Sequence, residues 1–215
     1  MARVYEDEHV AIDMLGPLGP FANNAYIVSP LDGAGPVVVV DAPEGAEEIV
    51  RALGDSRVGH ILVTHSHADH WNGFDVLRAH TDAPVYASED ETDLDATRSV
   101  LPLSDHAEVR VGHTTIRVIH TPGHTPGSIC LLVGHALLTG DTLFPGGPGH
   151  SRTNEALQQE IHSITSKLFE LPDDTLVLPG HGGGTTIGVA RAEYEVFASK
   201  PHAGDLHGDV LWLEA

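Results

Sequence analysis

The segment His60-Ile61-Leu62-Val63-Thr64-His65-Ser66-His67-Ala68-Asp69-His70 constrains this 215-residue chain more than any other. An apolar run of strand length ends abruptly in four ligand-type side chains within six positions. Groups this polar make no sense as core, so the strand must end where they have something to bind. On an extended backbone, residues two apart point the same way, so His65 and His67 face one ion together. The chain then turns into a helix near Gly73, which swings Asp69 and His70 to a different side.

Around this segment the pattern alternates between strands and helices. Residues 9–15 and 24–29 read as an antiparallel pair joined by Gly16-Pro17-Leu18-Gly19-Pro20. Residues 37–41 form a continuous β-branched run, as expected of a strand covered on both faces. A helix over 46–53, a strand over 60–64, a helix over 73–80 and a strand over 84–87 complete the first half. In the second half, 108–111 and 114–120 flank Gly112-His113 as a hairpin, followed by strands over 128–133 and 136–139. The spacing of Ile161, Ile164 and Leu168 predicts a helix over 154–169, capped by Thr153 or Asn154. A strand over 175–178 and a helix over 186–198 follow. This order implies an α/β fold in one domain, residues 1–215: a four-layer αββα sandwich with two mixed sheets face to face and helices outside.

Three more ligand-type residues lie in loops directly after strands. His124 lies in Thr121-Pro122-Gly123-His124-Thr125-Pro126-Gly127, whose prolines and glycines fix the loop rigidly. Asp141 follows Leu137-Leu138-Thr139-Gly140, and His181 lies in Pro179-Gly180-His181-Gly182-Gly183-Gly184. Taken singly, each reads equally well as an ordinary loop polar group. Together with the first cluster they make a set of histidine nitrogens and carboxylate oxygens, the donors of zinc and iron sites. Seven such groups suit two metal ions at about 3.5–4 Å sharing one carboxylate. Two divalent ions, two carboxylates and one hydroxide leave a charge of about +1, which polarises a carbonyl while keeping a hydroxide at neutral pH.

Composition narrows the partners. Lys and Arg number 11 against 31 Asp and Glu, for a formal charge of −20. Nucleic acids and anionic membranes need a basic footprint, and the only lysines are Lys167 and Lys200. The apolar runs are too short for a membrane span, and the start, MARVYEDEHV, lacks the apolar core of a signal peptide. Cys130 is the sole cysteine, which precludes an internal disulfide and fits a reducing compartment. It sits in Ile129-Cys130-Leu131-Leu132-Val133 and reads as a buried strand residue. A cytoplasmic protein acting on a small molecule is expected.

The run His65-Ser66-His67-Ala68-Asp69-His70, followed in order by His124, Asp141 and His181, resembles the metallo-β-lactamase superfamily over nearly the whole chain. The resemblance implies a first metal at His65, His67 and His124, a second at Asp69, His70 and His181, and Asp141 as the bridge. The cofactors implied are two divalent ions, zinc first, with iron or manganese as alternatives. Asp69 and Asp141 are the implied catalytic residues, Asp69 both ligating and orienting the hydroxide.

Departures from the family pattern separate its branches. True β-lactamases of this fold have no aspartate at the bridging position, where this chain has Asp141. The flavodiiron branch has Glu where His67 stands, and nuclease branches carry extra domains and basic surfaces. Residues 121–127, Thr139-Gly140-Asp141-Thr142-Leu143 and Leu178-Pro179-Gly180-His181 resemble the glyoxalase II-like (hydroxyacylglutathione hydrolase-like) thioesterases. Those enzymes use a C-terminal helical domain to help bind glutathione, whereas 34 residues follow His181 here. Phe144-Pro145-Gly146-Gly147-Pro148-Gly149-His150 stands in place of their lysine-bearing loop. The expected activity is therefore binuclear metal-dependent hydrolysis of a thioester, ester or lactone carbonyl by metal-activated hydroxide. The alternative is a mononuclear iron persulfide dioxygenase of the same fold. By resemblance, His65, His124 and Asp141 would hold its iron, and Ser151-Arg152-Thr153 resembles its arginine-bearing segment. A non-catalytic module is a weaker reading, since all seven ligands are present.

Other residues carry less definite expectations. Trp71 either walls the site or packs the first turn of its helix, and the 144–150 loop is either a lid or a connector. His150 and Arg152 are the nearest cations for an acidic substrate group. His9, His60, His80, His106, His113, His120, His135 and His162 lack ligand spacing and read as structural. His202 and His207 lie in the 201–209 tail, which in a homodimer would reach the site of a second subunit. The acidic runs at 6–8 and 88–95 read as solvated faces.

Overall fold

The computed structural model describes residues 1–31, 33, 35–91, 94 and 99–215. Its first sheet contains β1 (Ala2–Glu6), β2 (Val10–Leu18), β3 (Asn23–Pro30), β4 (Val37–Val40), β5 (Val58–Leu62), β6 (Val85–Ser88) and β7 (Val100–Leu103), neighbours in that order. Pairing is antiparallel from β1 to β4 and parallel from β4 to β7. Parallel neighbours need long crossovers, and α1 (Glu47–Leu53) and α2 (Phe74–His80) supply those from β4 to β5 and from β5 to β6.

The rest of the chain builds the second sheet and its cover. Four strands come first, β8 (Glu108–Val111), β9 (Thr114–His120), β10 (Ile129–Val133) and β11 (Ala136–Gly140). A small hairpin of β12 (Leu143–Phe144) and β13 (Gly147–Pro148) leads into α3 (Asn154–Ser163). Then come β14 (Leu176–Pro179), β15 (Thr185–Thr186) and α4 (Ile187–Ala198). The sheet order is β15-β14-β11-β10-β9-β8, with β11 and β14 parallel.

Side-chain alternation explains the layering. Val38 and Val40 join Ile12, Val28 and Leu62 against Ile116, Val118 and Leu131 of the second sheet. Val37 and Val39 point to the other face, where Ile49, Phe74 and Leu77 of α1 and α2 cover them. On the far side, Cys130, Leu137 and Val177 pack under Leu157 and Ile161 of α3 and Ile187 of α4. Both sheets are thus buried on two faces, giving the expected αββα sandwich. Cys130 is fully buried, and desolvation pushes its thiol up to about 12.

Some elements differ from expectation. β1 was not anticipated; its Arg3 forms an ion pair with Asp13 of β2 at 2.9 Å. β7 was also missed, because Pro102 argues against a strand interior; it lies at the sheet edge, where a missing N–H is tolerated. β2 runs on to Leu18, beyond the expected end at 15. The helix expected over 154–169 is α-helical only to Ser163 and widens to a π-turn over Ile164–Leu168. There Thr165 Oγ1 donates to the Ile161 carbonyl at 2.8 Å and Ser166 Oγ to that of His162 at 2.6 Å. Thr153 is the cap, accepting from Ala156 N at 3.2 Å. Residues 92, 93 and 95 of the acidic run lie outside the described residues.

The C-terminal tail folds back on its own chain. Ser151 and Gly208 exchange backbone hydrogen bonds at 3.2 and 2.9 Å. His202 stacks on Phe197, and Trp212 is fully buried beside Phe169 and Tyr194. Trp212→Ala should therefore cost about 3–5 kcal/mol of stability. Urea unfolding reads this, and a loss under 1 kcal/mol would mean that the tail is not part of the core.

Candidate metal centre

Every sequence-selected ligand follows the carboxyl end of a strand, at one edge of the sandwich. His65 and His67 come just after β5, His124 after β9, Asp141 after β11 and His181 after β14. A single tight turn over Ala68–His70, closed by His70 N to the His67 carbonyl at 3.0 Å, redirects Asp69 and His70. Backbone bonds between the sheets hold this edge together. Ile129 N donates to the Thr64 carbonyl at 3.0 Å, and Asn24 N donates to that of Gly180 at 2.7 Å. Tyr26 Oη donates to the Pro179 carbonyl at 2.6 Å.

Three overlapping groups result: His65, His67 and His124; Asp69, His70 and His181; and His65, His70 and Asp141. Within each, the donor atoms lie within 4.8 Å of one another. Asp141 lies between the two all-separate groups. Its Oδ2 is 3.3 Å from His181 Nε2 and 3.8 Å from His124 Nε2, and its Oδ1 is 3.3 Å from His70 Nε2. His67 Nδ1 and His124 Nε2 converge to 2.8 Å, and His70 Nε2 and His181 Nε2 to 3.2 Å.

The outer nitrogens decide which lone pairs face inward. His70 Nδ1 donates to Asp41 Oδ2 at 2.8 Å, His124 Nδ1 to the His150 carbonyl at 2.9 Å and His181 Nδ1 to the Phe21 carbonyl at 2.9 Å. Each bond turns Nε2 inward, the arrangement that metal-ligating histidines adopt once Nε2 has lost its proton. His65 Nε2 is buried, in a residue only 1% exposed, and has no hydrogen-bond partner. A buried unpaired nitrogen beside convergent imidazoles and carboxylates is the expected signature of a cation site. The donor set therefore fits two divalent ions.

Asp41 and Asn23 are the functional residues that the sequence reading missed. Asp41 ends the β-branched run, and its backbone turns into the left-handed region at φ 61°. Its carboxylate also accepts from Thr64 N and Thr64 Oγ1, both at 2.8 Å. Asn23 Nδ2 donates to Asp69 Oδ2 at 2.8 Å. Gly180 matters by what it lacks: a Cβ there would stand 2.3 Å from Asp141 Oδ1 and 2.5 Å from His70 Cε1.

Electrostatics divides the histidines. Burial lowers His65 well below its ordinary value, lowers His67, and lowers His124 to about 4. Burial also opposes charge on His70 and His181. There the carboxylates win: Asp41 and Asp141 raise His70 to about 10, and Asp141 and Asp69 raise His181 to about 9. Against its own burial, Asp69 is held well down by hydrogen bonds from His181 and Asn23. Asp141 is held down in the same way by His181 and His70. Behind the site, burial raises Glu160 to about 9, although its Oε1 accepts from Gly149 N at 3.1 Å.

Of the remaining candidates, Trp71 is buried and stacks on Phe74 at 4.2 Å, packing the helix rather than walling the site. Phe144 is half-buried and faces the His181 ring at 6.5 Å. Its hairpin is tied at the turn by Gly146 N to Glu193 Oε2 at 3.0 Å and Trp212 N to the Gly146 carbonyl at 2.8 Å. His150 pairs with Asp209 at 3.0 Å, and Arg152 Nη2 lies 3.4 Å from His67 Nε2.

Comparison with known proteins bears on this geometry. The family model described as Metallo-beta-lactamase superfamily matches residues 18–181. The chain is 37% identical over 163 residues to a hydroxyacylglutathione hydrolase of Alkalilimnicola ehrlichii, covering 75% of this chain and 62% of that relative. It is 32% identical over 193 residues to the probable metallo-hydrolase YqgX of Bacillus subtilis, covering 80% and 90% of the two chains. Among solved structures, ETHE1 from Myxococcus xanthus superposes with a TM-score of 0.67 at 30% identity, covering 82% of this chain and 80% of that one. TTHA1623 in a di-iron-bound form superposes with a TM-score of 0.70 at 28% identity, covering 82% and 96%.

Asp41→Ala should weaken metal binding about 10–100-fold by freeing the His70 ring. Chelator competition measures this, and unchanged affinity would remove Asp41 from the site. The metal-stripped protein should also lose stability as pH rises from about 6.5 to 9. Folded His70 and His181 keep protons that the unfolded chain releases near 6.5, and Glu160 keeps one released near 4.5. The folded state then binds more protons than the unfolded state, so the slope is negative. A urea midpoint that is flat or rising over this window would contradict these assignments.

Proposed function

Because the chain belongs to the metallo-β-lactamase superfamily, we propose that it is a binuclear metal-dependent hydrolase cleaving a thioester, ester or lactone bond of a small molecule. The observation that carries this reading is the pair of three-residue groups, His65/His67/His124 and Asp69/His70/His181, with Asp141 between them. Two divalent ions held there, zinc first, supply Lewis acidity and an acidified water.

The chain's own residues orient and exclude. Asp69, anchored by Asn23 and His181, stays ionised and positions the attacking water rather than storing its proton. Asp141 is shared between the groups and fixes their separation. The carbonyls of Phe21 and His150 and the Asp41 carboxylate hold three imidazoles in the tautomer that ligation needs. A covalent route through Cys130 has no support, since that thiol is fully buried and raised to about 12. The hydroxyacylglutathione hydrolase relative makes thioesters the first class to try, although this chain spans only 62% of its length. A small-molecule substrate and a cytoplasmic setting accord with the acidic surface and the lone buried cysteine. No helix among the described residues is long and apolar enough to cross a membrane.

Elemental analysis of the purified protein should find about two divalent ions per chain. Asp141→Ala should lose metal and thioester hydrolysis together, by more than the roughly 100-fold cost of losing an outer partner. A fully active, two-metal Asp141→Ala protein would end the proposal. One iron per chain, with oxygen uptake on glutathione persulfide, would replace it with the dioxygenase reading.

A further inference from the structure

Two hollows meet at His124. The larger, about 670 Å³, is lined by His67 and His124 and by Glu89, Asp90, Glu91 and Glu155. His67 and His124 form one ligand group with His65, whose buried Nε2 has no hydrogen-bond partner. The groove thus abuts the candidate metal centre. Arg152 is the only Lys or Arg lining it among the described residues, and its guanidinium is drawn to within 3.4 Å of His67 Nε2. His120, also in the lining, donates to the Pro126 carbonyl at 2.9 Å and lies 3.5 Å from Asp90. Glu91 accepts from Thr125 Oγ1, and among the described residues four carboxylates line this hollow against one guanidinium, which makes it hostile to anions.

The smaller hollow, about 260 Å³, runs from Asp141 toward the folded-back tail. Phe144, Pro145, Pro148, Val210 and Leu211 line it. Leu211 is 46% exposed, so apolar surface is available there without any rearrangement. A molecule whose scissile carbonyl sits at the ligand cluster places one end in each hollow.

We infer that the substrate is two-ended, with an apolar group held beside Phe144 and Leu211 and a cationic group held among Glu89, Asp90, Glu91 and Glu155. This rests on the hydrolase reading above, and it sets the chain apart from hydrolases of anionic thiol esters. Charge selects at the larger hollow, and apolar contact selects at the smaller.

The test compares three butyryl thioesters on the metal-loaded protein: butyrylthiocholine, S-butyryl-N-acetylcysteamine and S-butyryl-3-mercaptopropionate. At low salt, kcat/KM should fall in the order cation, neutral, anion, by about tenfold or more across the series. The gap should narrow at about 0.5 M salt, where screening acts within a few ångströms. Glu89→Gln combined with Glu155→Gln, both exposed positions, should remove most of the preference. Lengthening acetyl to butyryl in the thiocholine ester should raise kcat/KM by about three- to fourfold per methylene, and Leu211→Asn should flatten that rise. Any order in which the cation does not lead overturns the inference. Calorimetric binding of the corresponding thioethers, which cannot be hydrolysed, separates the two readings. If no thioester turns over but the thioethers bind in the expected order, the hydrolase reading fails and the charge preference stands. If thioesters turn over with no cation preference, the inference fails alone.

Discussion

One carboxylate joins the backbone of the first sheet to the metal centre. Asp41 accepts from the Thr64 amide, the Thr64 hydroxyl and His70 Nδ1 at 2.8 Å each. It does so from a buried position, where an unpaired charge would be costly and a fully bonded one holds its neighbours hard. The Thr64 carbonyl receives Ile129 N from the second sheet, and the next residue is His65. The end of β4, the end of β5, the edge of β10 and two ligands are thereby placed relative to one another. The two groups of donors inherit their spacing from this connection.

The sequence makes the ligands legible because it breaks its own rule at them. Polar residues that follow an apolar strand immediately, as at His65 or Asp141, have no structural use and draw the eye. Asp41 does the opposite. It closes a run of valines, and its partner His70 is 29 positions away, so no local pattern shows the pair. Asn23 is similarly hidden, since its carboxylate partner lies 46 positions on. In the fold, buried strands were readable from unbroken β-branched runs such as Val37–Val40. Edge strands were not. β1 carries Arg3 and Glu6, and β7 carries Pro102, features that protect an edge and also disguise it. The early end of α3 depends on hydroxyls bonding back to carbonyls, which helical periodicity does not register.

Charge is balanced twice over in this molecule. Asp41, Asp69 and Asp141 bring three carboxylates to a largely buried space, and protonated His70 and His181 offset them when no ion is bound. Divalent ions take over that role by displacing the protons, so folding, protonation and metal loading draw on the same groups. The outer surface is a separate matter. Glu89, Asp90 and Glu155, which line the groove, are not among the grouped ligands.

Gly180 offers no side chain to a metal, yet any side chain there would collide with both the Asp141 carboxylate and the His70 ring. Mutational drift at this position is therefore not independent of drift at the ligands. A lineage departing from glycine would have to rebuild the packing of Asp141 against His70 in the same step. Such a bare backbone position marks a boundary in sequence space: with glycine the carboxylate and the imidazole can stay side by side, and with any other residue they must part.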